Sequence, residues 1–254
     1  MEQIRKPLQG VKNILRFNWH FYLLSIIFVS LILLLSSFFN EAYLIFSKIS
    51  CFLVIVSTIV SIVISFYIYD LSDIYKLQWL NKIAIATNGK IVNIHSGFDE
   101  TSILLKGKFP DAELTVLDFY DPSKHTEISI KRARRAYPPY ENTIRVNTCD
   151  LALKGSFADN IFVILAAHEI RNQNERNDFF CELRRILKHN GSIIMIEHLR
   201  DIPNFLAYSI GFFHFIPRSS WYKAFKNTDL NISDQFRITP FITIFILEKY
   251  GPKP

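Results

Sequence analysis

Two stretches near the N-terminus, residues 21–39 and 49–69, contain no charged side chain. A helix needs about 20 predominantly apolar residues to cross the hydrocarbon core of a bilayer, and both stretches meet that length. A core helix of a soluble domain rarely goes so far without a polar face. Two spans are therefore expected, and the short connector makes them a hairpin. A cleavable leader fits poorly: the polar start and the apolar run are both long, and no small-x-small site follows. Phe17, Trp19, Phe21 and Tyr22 cluster at one end, and Tyr67, Tyr69, Tyr75 and Trp79 at the other. They read as interfacial anchors.

Charge sets the orientation. Arg5, Lys6, Lys12 and Arg16 precede the first span, and Lys76, Lys82 and Lys90 follow the second. The connector holds only Lys48, balanced by Glu41. Lys and Arg are kept on the cytoplasmic side. The expected arrangement is a cytoplasmic basic N-terminus (1–20), a hairpin in the inner membrane (21–69), a linker (70–90) and a cytoplasmic globular domain (91–250). Cys51, Cys149 and Cys181 are widely spaced and show no Cys-x-x-Cys. That excludes a disulfide framework or zinc ribbon and suggests buried free thiols. The basic cluster at residues 131–135 lacks stacking aromatics, so no nucleic-acid partner is expected. It reads as a solvated or lipid-facing helix surface.

From residue 91 onward, short apolar strands alternate with helices. Strands are expected at 91–94, 114–117, 143–146, 159–167 and 192–197, with helices at 102–108, 127–136 and 175–188. Asn190-Gly191 reads as the stop of the last helix, with Lys188 near its C-terminal end. Strand, helix, strand at these lengths makes parallel crossovers. The tail differs: a helix at 218–228 precedes two strands, 232–238 and 241–247, joined by Thr239-Pro240. They must pair antiparallel. The expected fold is α/β, a doubly wound, mostly parallel sheet ending in an antiparallel hairpin.

That arrangement, with the segment Glu182-Leu-Arg-Arg-Ile-Leu-Lys188-His-Asn-Gly191-Ser-Ile-Ile-Met-Ile-Glu197-His198, resembles the Rossmann-like class I S-adenosylmethionine-dependent methyltransferases. The segment corresponds to their helix, turn and fifth strand, and is closest to the quinone and small-molecule enzymes. His189 and Asn190 replace the usual Pro and first Gly of the turn. The likeness spans about residues 91–247 and implies S-adenosylmethionine as cofactor. It places the first motif, normally an acid and three glycines, at Asn93, His95, Gly97 and Asp99, where only Gly97 keeps the pattern. Side chains there either crowd the methionine end of the cofactor, or Asp99 bonds its ammonium group. The resemblance puts Asp118 on the ribose hydroxyls, Asp150 on the adenine amino group, and Ala166, Ala167 and His168 beside the sulfonium.

A hydroxyl or carbon-acid acceptor can need a base near neutral pH, which suits histidine. His168, Glu169, His198 and His214 fall at strand ends, with His168 first and His198 second as catalytic candidates. No His-x-His or His-x-x-x-His lies on an expected helix, so no metal is assigned. Residues 205–217 are apolar but too short to span. An interfacial helix, a substrate lid and a core helix all remain open. Tyr222 and Lys226 match the Tyr-x-x-x-Lys of nicotinamide enzymes, but no dinucleotide loop accompanies them. The expectation is a membrane-anchored methyltransferase for a small, hydrophobic or lipid-dissolved acceptor. The alternative, motivated by the eroded glycine loop, is a non-catalytic scaffold or ligand sensor. The oligomeric state is not legible.

Overall fold

The computed structural model describes residues 5–83 and 85–250. Two helices come first, α1 (Gln9–Leu35) and α2 (Glu41–Phe66). Both are long and apolar enough to cross a membrane. Their outer surfaces carry Phe21, Leu24, Ile26, Leu34, Phe46 and Phe52, all exposed. Asn40 starts α2 by accepting the backbone N–H of Tyr43, an ordinary side-chain cap.

A seven-stranded sheet follows, in the order β3-β2-β1-β4-β5-β7-β6. Its strands are β1 (Lys90–His95), β2 (Glu113–Asp118), β3 (Ile144–Arg145), β4 (Ala158–Ile164), β5 (Leu187–His198), β6 (Leu230–Thr239) and β7 (Ile242–Lys249). The first five pair parallel, and β7 runs antiparallel to both β5 and β6. Helices α3 (Ser102–Lys108), α4 (Ile128–Ala136), α5 (Gln173–Ile186), α6 (Ile202–Tyr208) and α7 (Arg218–Asn227) fill the connections.

Strand side chains alternate between faces, and the sheet has a core on each. On one, Ile161, Val163, Ile193 and Met195 pack under Phe179, Phe180, Leu183, Trp221 and Phe225 of α5 and α7. On the other, Phe162, Ile164, Ile194 and Ile196 meet Leu105, Ile68, Ile74, Leu77 and Trp79. The stretch expected as a linker is therefore a layer of the fold. The end of α2 and the chain after it cover one face of the sheet.

Several local expectations change as a result. Tyr69, Tyr75 and Trp79 are not interfacial anchors. The Tyr75 hydroxyl donates to Glu100 at 3.0 Å, and Trp79 is buried with its indole N–H on the Ile74 carbonyl. Phe17 is buried as well, between Phe98 and Tyr137. Helix α1 begins at Gln9, within the stretch read as a polar leader, and kinks at Asn18. Below the kink it lies on the globular domain. Gly10 allows this approach: a Cβ there would stand 2.4 Å from Tyr69 Cβ. Helix α1 has no local cap, and Asp70 supplies one from α2's end by accepting the N–H groups of Gly10 and Val11 at 2.8 and 2.7 Å.

The expected stop at Asn190-Gly191 is not a turn. Helix α5 ends at Ile186, and residues 187–191 already belong to β5. Leu187 pairs with Ala158, and Lys188 is held by Asp159 at 2.7 Å. Gly191 is required because a Cβ would meet the Asp159 carbonyl at 2.6 Å, where β4 shifts register. The third strand is also shorter than expected. All three cysteines are free, but only Cys51 is buried; Cys149 and Cys181 are exposed.

Candidate functional site

In open α/β sheets, ligands bind beyond the C-terminal ends of the strands. Here that edge has two halves. The first lies beyond β1 and β2. Asn93 donates to the hydroxyls of Thr101 and Ser102 at 2.9 and 2.8 Å. Asp99 accepts the backbone N–H groups of Thr101 and Ser102, which opens α3. Gly97 adopts φ +95°, a conformation that favours glycine. His95 accepts the Gly97 N–H at Nδ1 and stands 3.8 Å from Asp118. Burial lowers its pKa, against the pull of Asp99 and Asp118. Buried Asn93 Oδ1, His95 Nε2 and Asp99 Oδ2 lack a hydrogen-bond partner.

Asp118 ends β2 as expected, buried, with Oδ1 accepting the Tyr120 N–H. Its Oδ2 is taken by the Arg134 guanidinium at 2.6 Å. The same guanidinium lies 2.5 Å from where a Gly97 Cβ would be, and it stacks over Tyr120. Arg134 thus fills the space between glycine loop and β2 acid. The cluster at residues 131–135 is not simply a solvated face, because Arg132 also donates to the Phe17 carbonyl at 2.6 Å and stacks on Trp19. Asp150 is exposed and accepts the Ala152 N–H.

Both walls of this half are tied to α1. Glu100, beside Asp99, takes Arg5 at 3.0 Å, Gln9 at 2.9 Å, Asn13 at 3.2 Å and Tyr75 at 3.0 Å. Tyr137, just past α4, donates to Asn13 at 2.8 Å. Sequence reading missed Arg134 and Glu100: an Arg in a basic helix and a Glu in a polar loop carry no signal of their partners.

The second half lies beyond β4 and β5. Leu165 leaves β4 with φ 51°, an uncommon conformation for a branched residue. The chain then places buried Ala166 and a 3-10 turn, Ala167–Glu169. His168 Nδ1 is 2.7 Å from Glu197 Oε2 of β5, and His168 Nε2 is 3.3 Å from Glu169 Oε1. Burial disfavours the imidazolium, but the two carboxylates outweigh it and raise the His168 pKa to about 10. Burial would raise Glu169, but His168 and His214 hold it well below the usual carboxylate range. His214 comes from the 3-10 turn after α6, Ser209–His214. Its Nε2 is 3.5 Å from Glu169 and its Nδ1 3.3 Å from Glu127. Arg171 donates to the His214 carbonyl and approaches its Nδ1 at 2.6 Å.

His198 ends β5 nearby. Its Nδ1 meets Asn204 at 3.0 Å and its Nε2 meets the Tyr69 hydroxyl at 2.8 Å. Its ring stacks on Phe215 at 4.6 Å. Burial lowers its pKa to about 3, against the Asn204 bond and with the help of His168. The structure therefore brings His168, Glu169 and His214 together and sets His198 beside them in a separate, neutral network. Alongside, α6 and the turn after it expose Ile202, Phe205, Leu206, Ile210 and Phe213, and α6 packs on α2.

No family model and no curated protein matches the sequence. Solved structures do match. The PH0226 protein of Pyrococcus horikoshii OT3 aligns at TM-score 0.51 and 15% identity, over 68% of this chain and 87% of its own. A SAM-dependent methyltransferase of Methanosarcina mazei aligns at 0.50 and 12%, over 68% and 97%. One of Aquifex aeolicus gives 0.49 and 12%, over 70% and 94%. The chain has the class I methyltransferase fold. The strand order and the reversed β7 belong to it.

Asp118 and Gly97 stand at the end of β2 and just after β1, where the resemblance implies cofactor contacts. In this conformation Arg134 holds Asp118 Oδ2 and lies against Gly97. A ribose hydroxyl reaching Asp118 Oδ2 would compete with Arg134 for it. Arg134 is partly exposed, on the nine-residue helix α4.

Proposed function

We propose that the chain is a membrane-anchored, S-adenosylmethionine-dependent methyltransferase acting on a small hydrophobic acceptor drawn from the bilayer. The domain faces the cytoplasm in this reading, because the basic residues flank the hairpin on that side. The observation that supports it best is the second half of the sheet edge. A polar, histidine-bearing strand end adjoins an exposed apolar element, which in turn packs on a helix long enough to cross a membrane. An amphipathic helix with such a face settles at the level of lipid headgroups. A lipid-dissolved acceptor would then reach β4 and β5 without crossing water.

When bound, the cofactor would supply the electrophilic methyl group. Asp118, freed from Arg134, would accept hydrogen bonds from ribose hydroxyls, as a carboxylate can take two at once. Each ring nitrogen of His168 and His198 already faces a partner in this conformation. The reading therefore leans on alignment of acceptor and methyl group, a large term in such displacements, more than on a free base.

One observation favours the alternative of a non-catalytic scaffold or sensor: the Asp118–Arg134 pair itself. Calorimetry with S-adenosylmethionine on the detergent-solubilised chain separates the two. The methyltransferase reading expects binding that Asp118→Ala abolishes and Arg134→Ala strengthens. Absence of binding to both the native chain and Arg134→Ala removes it and leaves the scaffold.

A further inference from the structure

We propose that His168, Glu169 and His214 form a binding site for a divalent transition-metal ion of the zinc class. Their ligand atoms all lie within 4.8 Å of one another. Two of the three separations are 3.3 and 3.5 Å, from Glu169 Oε1 to His168 Nε2 and to His214 Nε2. Tetrahedral zinc with bonds of about 2.1 Å places its ligands about 3.4 Å apart. The set is therefore close to the spacing that such an ion needs.

A second observation is independent of that spacing. A metal-binding histidine almost always holds its other ring nitrogen against a carboxylate or carbonyl, which fixes the tautomer and orients the ring. Both histidines do so. His168 Nδ1 meets Glu197 at 2.7 Å, and His214 Nδ1 faces Glu127 at 3.3 Å. Each Nε2 is thereby aimed at Glu169. Arg171 competes for His214 Nδ1 at 2.6 Å. With a metal on Nε2, Nδ1 must carry the hydrogen, so it donates to Glu127, and Arg171 keeps the His214 carbonyl and its contact to Glu127, now 3.4 Å.

Fixed charge points the same way. Glu127, Glu169 and Glu197 gather here, and among the described residues Arg171 is the one permanent cation within ion-pair distance of any of them. With both imidazoles neutral, as metal ligation requires, three carboxylates against one guanidinium leave two negative charges for a divalent ion to balance; without the ion, the proton on His168 meets part of that charge. Two imidazoles and one carboxylate select zinc-class ions over magnesium or calcium, which prefer all-oxygen sites. With three protein ligands, a tetrahedral ion keeps one open position. The site does not require that the chain transfer methyl groups.

The test is calorimetric titration of ZnCl2 into the metal-stripped, detergent-solubilised full chain, with Co2+ as a visible-absorption probe of the same position. Saturation at one ion per chain is expected, and MgCl2 at equal concentration should not compete. His214→Ala, at the more exposed ligand, and Glu169→Gln should each weaken binding more than about tenfold, and Glu197→Gln by about 10–100-fold through the orienting contact. His189→Ala, at an exposed histidine of β5, should bind like the native chain. The proposal is overturned by an absence of saturable binding, by undiminished binding in His214→Ala, or by loss of binding in His189→Ala.

Discussion

The two halves of one sheet edge have opposite characters. Beyond β1 and β2, charged groups are matched: Asp118 by Arg134, Glu100 by Arg5 and three further donors, and Asp99 by the start of α3. Beyond β4 and β5, like charges converge instead, with Glu127, Glu169 and Glu197 around two histidines. In the first half the acids are held by permanent cations and backbone donors; in the second, the groups facing Glu169 and Glu197 are histidines, which can exchange a proton for a metal ion. The closed half is also the one wired to the α1–α2 hairpin. Ligand admission there is a question about α1 and α4. Ligand binding at the other half is a question of charge and ligand geometry.

The comparison can be broken most severely at Glu100. Removing one partner of a largely buried ion pair typically costs about 3–5 kcal/mol, and Glu100 has four partners. Glu100→Ala should lower the thermal midpoint of the detergent-solubilised chain by several degrees. It should also raise amide exchange at residues 97–101 while leaving the second half protected. Equal exchange in both halves would show that the two are not separate.

The next largest effect is expected at Arg134. A charge-assisted hydrogen bond contributes about 1.5–3 kcal/mol, so relieving Asp118 of it should strengthen S-adenosylmethionine binding by about 10–100-fold in Arg134→Ala. Zinc binding should not change, since the guanidinium does not contact the second half. Gly10→Ala should cost about 1–3 kcal/mol, the usual range for overpacking, because Tyr69 cannot retreat from a Cβ at 2.4 Å without moving the end of α2.

Proton uptake sharpens the contrast further. His198 is neutral in the folded protein, with a pKa of about 3 against an ordinary 6.5. Below 6.5 the unfolded chain binds a proton there and the folded one does not, so stability falls as pH drops from about 6.5 toward 3. In His198→Gln, the acid side of a thermal-midpoint profile should be shallower by up to one proton. The smallest effect is predicted for Asp150→Ala. A surface change of this kind stays within about 0.5 kcal/mol, and cofactor affinity should not change if the acid has no ligand role.

Much of the sheet was legible because strand length, helix periodicity and the Thr239-Pro240 junction are local properties. Gly191 was also noticed, but for the wrong reason. A glycine after a helix looks like a cap, and only the neighbouring strand reveals a close approach to the Asp159 carbonyl. Tyr69, Tyr75 and Trp79 were misread because an aromatic with a polar tip suits a membrane interface and a buried hydrogen bond equally well. His168, Glu169 and His214 were each visible as strand-end polar residues. Their convergence was not, since the third comes from a loop 45 positions away and no helical spacing announces it. Arg134 left no trace, because a side chain crossing to another strand has no sequence period.

The capping of α1 by Asp70 has a practical consequence. Many membrane anchors are leashes: cut one, and the domain floats away intact. Here a cleavage between residues 71 and 90 would strip Ile68 from the sheet, take Asp70 and α1 with it, and leave Glu100 without Arg5, Gln9 and Asn13. A version freed of its hairpin would be a different molecule with an uncovered face. Any change in the tilt of that hairpin reaches the loop after β1, which is bolted to the same frame through Glu100.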